Sequence, residues 1–333
     1  MGFTENVFII GMDKMRICIN RNVLLSGIFI LCCILFCGCS SVNLPEIKYH
    51  VKTEAPIEKQ FLESGPYRVN YFSTSANDFK LKNYHVWYPS ELENGQKKYP
   101  LIVICNGTGY RATRFASLFK HLASWGFTVI GTEEEWSGKG RGAILSLRFM
   151  LSLNKKKESI FYQKIDLEKI GIAGHSQGGA GAINAITKYP EGHMFKTLFS
   201  ISGVRQEQAD SWLLRCAYDP GLLRVPVMMT ATSNPYGWDE VNPERPHLAI
   251  CPLESMQKNK ADILKNFETT IIIARVAHKR KYHADNLAMS TPYMTAWFSY
   301  WLKGEKQAGG FFLGSTPELK QNPCWQDVEI HEG

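Results

Sequence analysis

One short stretch, KIGIAGHSQGGAGAINAI at residues 169–186, constrains the fold more than any other part of the chain. An apolar segment runs directly into GHSQG at residues 174–178 and then continues as a series of small residues. A G-x-S-x-G pattern between a buried strand and a small-residue helix is typical of a sharp strand-to-helix turn that exposes a reactive serine. We therefore predict that Ser176 presents its hydroxyl at the carboxyl edge of a sheet, where it acts as a nucleophile.

Other apolar segments of strand length predict a sheet around this turn. They are LIVICNGTG after Pro100, FTVIGT from Phe127, KTLFSISG from Lys196, VPVMMTATSN from Val225 and TTIIIARVA from Thr269. Amphipathic stretches such as residues 114–125 and 143–153 separate the strands, and a final helix is predicted over residues 292–302. Buried strands that alternate with helices indicate an α/β fold with a mostly parallel sheet. We expect about eight strands, of which the first two, from Tyr67 and Lys80, are antiparallel.

The N-terminal residues 1–38 are predicted to be a signal peptide rather than part of the fold. Basic residues precede an apolar run from Val23 to Cys37, which is shorter than a typical membrane span. The ending FCGCSS resembles a bacterial lipobox, which implies cleavage before Cys39, a lipid on its sulfur and a place in the cell envelope. An uncleaved membrane anchor is the alternative. We expect residues 39–60 to be a tether and residues 61–333 to form one domain.

Charge and cysteine usage exclude several other classes of protein. The formal net charge of +7 comes from scattered Lys and Arg, with no basic face interleaved with aromatic residues, so nucleic acid is not an expected partner. The four cysteines after Cys39 lack metal-ligand spacing, and we expect neither a metal nor an organic cofactor. Cys216 and Cys251 form either a disulfide or two free thiols. We expect a monomer.

A serine hydroxyl becomes a strong nucleophile only when a base removes its proton. In a fold of this kind the base follows the last strand. Three histidines come late enough in the chain, namely His278, His283 and His331.

The chain from about Pro66 to the C-terminus resembles the α/β-hydrolase family, in the branch of chlorophyllase-like esterases, cutinases and polyethylene terephthalate hydrolases. The segments that carry the resemblance are NGTGYRATRFASLFKHLASWGFTVIGTEEE, GHSQGGAGAI and HADNLAMSTPYMTAWFSYWL. Relatives carry His-Gly-Asp at a similar distance before a Y-x-T-A-W-F helix, which favours His283 over His278 as the base. The resemblance implies a serine hydrolase that cleaves small or polymeric carboxylic esters.

The acid that orients the imidazole is less well defined by the resemblance. Relatives usually place Asp directly after the seventh strand, where this chain has Asn234 and Pro235. A short insertion would bring Asp239 or Glu240 into the role, and we predict Asp239. Asp210, after the sixth strand, is the remaining alternative.

Two backbone N–H groups are expected to bind the oxyanion that forms when the serine attacks. One belongs to Gln177 at the start of the helix, and the resemblance places the other at Thr108 in NGTG. Trp136 and Tyr110 either line an acyl or aryl subsite or pack against the sheet. Alternatives to an esterase are an acyltransferase or peptidase that uses the same serine, and an envelope binding protein that lost its acid. Residues 204–223 form either a lid or a helix.

Overall fold

The computed structural model describes residues 53–277 and 282–333, all of which belong to one compact unit. The predicted signal peptide and Cys39 lie outside the described residues. The strands are β1 (Val69–Ser75), β2 (Asn83–Pro89), β3 (Tyr99–Cys105), β4 (Thr128–Thr132), β5 (Ile165–His175), β6 (Phe195–Ile201), β7 (Val227–Thr232), β8 (Ile271–Val276) and β9 (Trp325–His331). The helices are α1 (Pro56–Leu62), α2 (Ala116–Ser124), α3 (Arg141–Lys155), α4 (Gln177–Lys188), α5 (Gln206–Ala209), α6 (Leu253–Leu264), α7 (Asp285–Lys303) and α8 (Glu318–Gln321).

These strands form one sheet in the order β1-β2-β4-β3-β5-β6-β7-β8-β9. Strands β3 to β8 are parallel, whereas β1, β2 and β9 pair in the antiparallel sense. Parallel strands end at the same edge of a sheet, so the loops after β3 to β8 converge there. The predicted positions of the nucleophile, base, acid and oxyanion donors all lie in these loops.

The sheet separates two apolar layers. All residues of β3 are buried, with Leu101 and Val103 in one layer and Ile102 and Ile104 in the other. Helices α3, α4 and α6 cover the first face, and α1, α2 and α7 cover the second. Burial on both sides explains why the central strands read as continuous apolar runs rather than as alternating patterns.

The ends of the fold differ from the sequence expectation. Strand β9 was not predicted, because its burial is partial and its sequence, WQDVEIH, lacks an apolar run. Helix α1 lies partly within the expected tether, where Glu58 is buried and accepts from Asn322 Nδ2 at 2.7 Å, so this part of the tether packs against the domain. Helix α7 begins seven residues before the predicted start because it accommodates Pro292 in its interior.

The segment between β6 and β7 contains the short helix α5 and is fastened to the core. Tyr218 is buried and its hydroxyl donates to the Val204 carbonyl at 2.8 Å, while the Cys216 N–H donates to the Ala209 carbonyl at 2.8 Å.

Within residues 53–277 and 282–333, none of the helices has the length and apolarity needed to cross a bilayer.

Candidate active site

The turn at Ser176 joins the end of β5 to the start of α4. Its φ of 57° and ψ of −124° lie in a region that a residue with a side chain rarely adopts. A Cβ on Gly174 would lie 2.0 Å from the Gly178 carbonyl oxygen, and a Cβ on Gly178 would lie 2.2 Å from the Cys105 carbonyl oxygen. The two motif glycines are therefore required by close backbone contacts, not by flexibility.

Backbone hydrogen bonds hold this strained turn in place. The Ser176 N–H donates to the Ile201 carbonyl at 2.9 Å. The Ser176 carbonyl accepts from the Gly179 N–H at 2.9 Å and from the Val204 N–H at 3.0 Å. The side chain remains partly exposed, so its hydroxyl is accessible while its backbone is fixed by β6 and the loop that follows it.

An imidazole and a carboxylate from two different loops meet at the same edge. His283 Nδ1 lies 2.6 Å from Asp239 Oδ1. The other oxygen, Asp239 Oδ2, accepts from the Ser202 hydroxyl at 2.6 Å, the Thr232 N–H at 2.8 Å and the Thr232 hydroxyl at 3.1 Å. The His283 N–H donates to the Gly237 carbonyl at 2.8 Å, so the loop of the acid also fixes the backbone of the base.

The environment of Asp239 keeps its carboxylate ionised. The side chain is fully buried, and burial by itself would raise its pKa. The charge and hydrogen bond of His283 outweigh this effect, together with the donors from Ser202 and Thr232, so the pKa lies below the ordinary value for Asp. A buried, ionised and fully hydrogen-bonded carboxylate can hold the imidazole in one orientation and stabilise its positive charge.

The loop after β7 explains how the acid comes to lie at position 239. The Asn234 carbonyl accepts from the Gly237 N–H at 2.8 Å, and Asn234 Oδ1 accepts from the Tyr236 N–H at 3.0 Å. The resulting turn lengthens the loop before Asp239. The two alternative acids have different surroundings. Glu240 forms an ion pair with Arg275, and Asp210 is exposed at the end of α5.

His283 lies beside the Ser176 turn. Its ring centroid is 4.7 Å from that of His175, the residue directly before the serine. His175 is itself buried between Tyr110 and Phe115. Burial, together with the nearby His283 charge, lowers the His175 pKa to about 3, so this ring stays neutral and is a poor base.

Of the other two candidate bases, His331 is the one that the structure describes. His331 ends β9 and pairs with Glu268 at 2.5 Å. His278 falls outside the described residues. Two of the described histidines contact a buried carboxylate that follows a parallel strand: His283 contacts Asp239 after β7, and His85 of β2 contacts Glu133 after β4.

The loop after β3 approaches the serine from the other side. A Cβ on Gly107 would lie 3.2 Å from the Ser176 Cβ. The Gly109 N–H donates to the Glu135 carbonyl at 2.9 Å and the Tyr110 N–H to the Gly107 carbonyl at 3.1 Å, whereas no backbone acceptor among the described residues contacts the Thr108 N–H. The N–H of Thr108 is thus one of the N–H groups of this loop that are available for a ligand.

The second expected donor is the N–H of Gln177, the first residue of α4. The first N–H groups of a helix have no acceptor within the helix, and the positive end of the helix dipole lies there. The Gln177 side chain is buried, and no loop carbonyl among the described residues accepts from its N–H. The Gln177 N–H directly follows Ser176 in the chain, and the loop that carries Thr108 approaches the serine through Gly107.

Side-chain and backbone hydrogen bonds of Asn106 fix the loop that carries Thr108. Its side-chain Nδ2 donates to the Thr132 carbonyl at 2.7 Å and to the Glu134 carbonyl at 2.9 Å, and its own carbonyl accepts from the Ser137 hydroxyl. These contacts join the loop after β3 to the segment after β4. No local sequence pattern marks this role of Asn106, because its partners become neighbours only when the two parallel strands pair.

A family comparison covers most of the chain, including every residue of this site. A family model described as PET hydrolase-like matches residues 52–322. The chain belongs to the PET hydrolase-like family. The match confirms the predicted α/β-hydrolase fold and the resemblance to cutinases and PET hydrolases, and it implies ester hydrolase activity. A comparison with curated proteins gives no match.

The rim of the site in this PET hydrolase-like protein carries exposed aromatic side chains. Trp136, named from the sequence, is exposed, whereas Tyr110 is half-buried and packs against Phe115 and His175. Trp238, directly before the acid, is also exposed and was not predicted. Its position is set by the lengthened loop after β7, which sequence spacing alone does not place.

Metal and disulfide chemistry find no support in the described part of this PET hydrolase-like chain. No group of three or more His, Cys, Asp or Glu side chains there could hold a metal ion. Cys105, Cys216, Cys251 and Cys324 are all free thiols, so the disulfide considered for Cys216 and Cys251 is not formed. Burial raises the pKa of Cys216 to about 11, which keeps this thiol protonated and unreactive.

Glu134 is a buried carboxyl behind the oxyanion loop of the PET hydrolase-like fold. Its backbone carbonyl holds Asn106, but its side-chain Oε2 has no hydrogen-bond partner among the described residues. Burial raises the pKa of Glu134 from 4.5 to about 7. The nearby charge of Arg141 lowers this pKa, and the charge of Asp78 raises it. The folded protein therefore keeps a proton that the unfolded chain releases, and stability is lost as the pH rises from about 4.5 to about 7.

Glu134→Gln is expected to stabilise the protein at pH 8 by up to about 3 kcal/mol, since one pKa unit corresponds to about 1.4 kcal/mol. At pH 5 the gain should fall to about 1 kcal/mol or less, because this pH exceeds the pKa of the unfolded carboxyl by only about half a unit. Urea unfolding at both pH values measures the difference. Glu135→Gln, in the same segment but paired with Arg111 nearer the surface, is the control and should give no gain at pH 8. A Glu134→Gln protein less stable than wild type at pH 8 would contradict this account.

Proposed function

We propose that the protein hydrolyses carboxylic esters through a covalent acyl-enzyme on Ser176. The observation that carries the proposal is the 2.6 Å contact between His283 Nδ1 and the buried carboxylate of Asp239, at the same sheet edge as the serine turn. The carboxylate accepts a hydrogen bond from Nδ1–H, which favours the tautomer with its hydrogen on Nδ1 and leaves Nε2 free to accept a proton. The family supplies the ester as the class of substrate.

In the first half of the reaction, the Ser176 hydroxyl attacks the ester carbonyl and its proton passes to His283 Nε2. The carbonyl oxygen becomes an oxyanion, which accepts hydrogen bonds from the Thr108 and Gln177 N–H groups. The tetrahedral intermediate then collapses, the bond to the alkoxy oxygen breaks and His283 returns the proton to that oxygen. The products of this half are a free alcohol and an acyl group on Ser176.

In the second half, His283 removes a proton from water as the water attacks the acyl carbonyl. The same two N–H groups hold the second oxyanion, and the bond to Ser176 Oγ breaks as His283 protonates it. The carboxylic acid leaves and the enzyme is restored. Asp239 remains ionised throughout and supports the imidazolium that forms in each half.

The state of the site favours an enzyme over a binding protein that has lost its acid. One oxygen of the Asp239 carboxylate accepts from three donors and the other contacts the imidazole, an arrangement not expected of a carboxylate without a role in the site. Exposed aromatic side chains such as Trp136 and Trp238 suit acyl or aryl groups of a small or polymeric ester. Export and lipid attachment at Cys39 complete the proposal and would place the enzyme in the cell envelope.

Labelling with a fluorophosphonate tests the activation of the serine directly. We expect the reagent to modify one residue, Ser176, as located by peptide mass spectrometry, because only a serine with an adjacent base reacts quickly. The His283→Ala variant is the matched control and should label at least 100-fold more slowly. Rapid modification of another serine, or equal labelling of the variant, would reject the proposal.

The same preparation separates hydrolysis from the other reactions of a serine enzyme. p-Nitrophenyl butyrate measures ester cleavage, the corresponding anilide measures amide cleavage, and added butanol reveals acyl transfer as butyl butyrate. Free butyrate as the main product, with slow anilide cleavage, is the expected result. Butyl butyrate as the main product in dilute butanol would instead identify an acyltransferase.

A further inference from the structure

Asp239 lies at the end of a series of buried hydrogen bonds that the reaction steps above do not use. The Ser202 hydroxyl donates to Asp239 Oδ2 at 2.6 Å, and Asn286 Nδ2 donates in turn to the Ser202 hydroxyl at 2.9 Å. Ser202 directly follows β6, and Asn286 lies in the first turn of α7, three residues after His283. The series therefore connects the helix that follows the base to the carboxylate that contacts the base.

Two further hydroxyl groups fix the orientation of the Asn286 amide. Ser290 donates to Asn286 Oδ1 at 2.9 Å, and Asn286 Nδ2 also donates to Thr230 Oγ1 at 3.3 Å. The hydroxyls of Thr230 and Ser290 are 2.8 Å apart, and their hydrogen bond closes a ring. The four side chains of this Asn286 network are all fully buried: Ser202, Thr230, Asn286 and Ser290.

The hydrogens of the Asn286 network have one consistent arrangement. The ionised Asp239 can only accept, so it takes the single hydrogen of the Ser202 hydroxyl. The Ser202 oxygen must then accept from Asn286, which places the amide nitrogen on that side. Oδ1 consequently faces Ser290 and accepts its hydrogen, and the Ser290 oxygen accepts from Thr230. Two amide and three hydroxyl hydrogens thus make five hydrogen bonds.

Ser202 has a backbone conformation that favours glycine. Its φ of 47° lies in the left-handed region, which glycine adopts at less cost than a residue with a Cβ. A hydrogen bond of 2.7 Å from the Ser202 N–H to the Thr230 carbonyl holds this conformation. Strain of this kind is typical of functional sites, and here the strained residue carries the hydroxyl that contacts the proposed acid.

We propose that Asn286 is a positioning residue that acts on the acid through Ser202. Its amide directs the Ser202 hydroxyl toward Asp239, and this donation helps to hold the carboxylate in contact with His283. The side chains of the Asn286 network are buried, so they affect the reaction through Asp239 and not by contact with the ester. The role in turnover rests on the reaction proposed at Ser176, whereas the effect on the contact between Asp239 and His283 does not.

Proton NMR tests the positioning without using turnover. The proton between His283 Nδ1 and Asp239 should give a far-downfield resonance, assigned by its loss in His283→Ala. Asn286→Leu keeps a similar volume but removes the amide, so the Ser202 hydroxyl can turn away and the resonance should broaden or shift upfield. Ser299→Ala, at a buried hydroxyl of α7 outside the network, should leave the resonance unchanged. No such resonance in the wild type, or an unchanged one in folded Asn286→Leu, would overturn the proposal.

Kinetics test whether Asn286 acts through Ser202. With p-nitrophenyl butyrate, Ser202→Ala and Asn286→Leu should each lower kcat about 10-fold and change KM by less than about twofold, because the network does not contact the ester. The double variant should be no slower than Ser202→Ala, since the amide has then lost the hydroxyl through which it acts. Losses of kcat that multiply in the double variant would overturn the proposal.

Ser290→Ala keeps the test informative if Asn286→Leu does not fold. It removes the donor to Asn286 Oδ1 and should lower kcat about threefold, whereas Ser299→Ala on the same helix should keep the wild-type value. Equal kcat in these two folded serine variants would overturn the proposal. If the wild type neither hydrolyses the ester nor reacts with the fluorophosphonate, the reaction proposed at Ser176 fails. The NMR comparison of Asn286→Leu or Ser290→Ala with Ser299→Ala then decides the role of Asn286 by itself.

Discussion

Replacing Ser176 by alanine is expected to lower kcat/KM for p-nitrophenyl butyrate by about 10⁴-fold or more, while the free energy of unfolding stays close to that of the wild type. The substitution removes the attacking oxygen and little else. The contacts that hold the turn are made by the Ser176 backbone with Ile201, Gly179 and Val204, and alanine keeps all of them. The strained φ is unchanged, because alanine and serine both carry a Cβ.

Some catalysis should remain in the Ser176→Ala protein, because the oxyanion donors and the imidazole are still present and can direct water to the ester. Ser299→Ala is the matched control, since it removes a buried hydroxyl that has no hydrogen-bond partner in the described part of the chain. This variant should keep wild-type turnover. Thermal unfolding followed by circular dichroism shows that each protein is folded, and a folded Ser176→Ala protein that keeps kcat/KM within about 10-fold of the wild type would reject the nucleophile.

The sequence predicts best those parts of the fold that depend on local pattern and burial. Residues 169–186 predict the strand, turn and helix at Ser176 because every residue of the pattern is needed within one short segment. The parallel sheet is equally predictable, since strands such as β3 are buried on both faces and read as apolar runs. Strand β9 and helix α1 are not predictable in the same way. Each is only partly buried, and its burial depends on which part of the domain it packs against.

The sequence alone does not determine which carboxylate serves as the acid. Spacing left Asp239, Glu240 and Asp210 as candidates, because the length of a loop does not fix which of its carboxylates turns inward. Tertiary contacts distinguish them. Ser202 after β6 and Thr232 at the end of β7 supply donors to one carboxylate, and Arg275 pairs with the neighbouring one. These partners are brought together only by strand pairing, and no local pattern marks them.

Those contacts also determine what a change at the acid should do. In an Asp239→Asn protein, the side-chain oxygen should face the Ser202 hydroxyl and the Thr232 N–H, because both are donors that need an acceptor. The amide nitrogen must then face His283 Nδ1 and donate to it. A donor at that position forces the imidazole into the tautomer with its hydrogen on Nε2, which is the atom that has to accept the serine proton.

Asp239→Asn should therefore lower kcat for p-nitrophenyl butyrate at pH 7 by about 10³–10⁴-fold, with a much smaller change in KM, since the tautomer affects proton transfer and not ester binding. Steady-state kinetics measure the two constants, and circular dichroism confirms that the variant is folded. Asp210→Asn removes an exposed carboxylate and is the control expected to keep wild-type kcat. Glu240→Gln separates the two adjacent acids, because loss of its ion pair with Arg275 should reduce stability but leave His283 in its active tautomer. An Asp239→Asn protein with wild-type kcat, or a folded Glu240→Gln or Asp210→Asn protein as slow as Asp239→Asn, would assign the acid elsewhere.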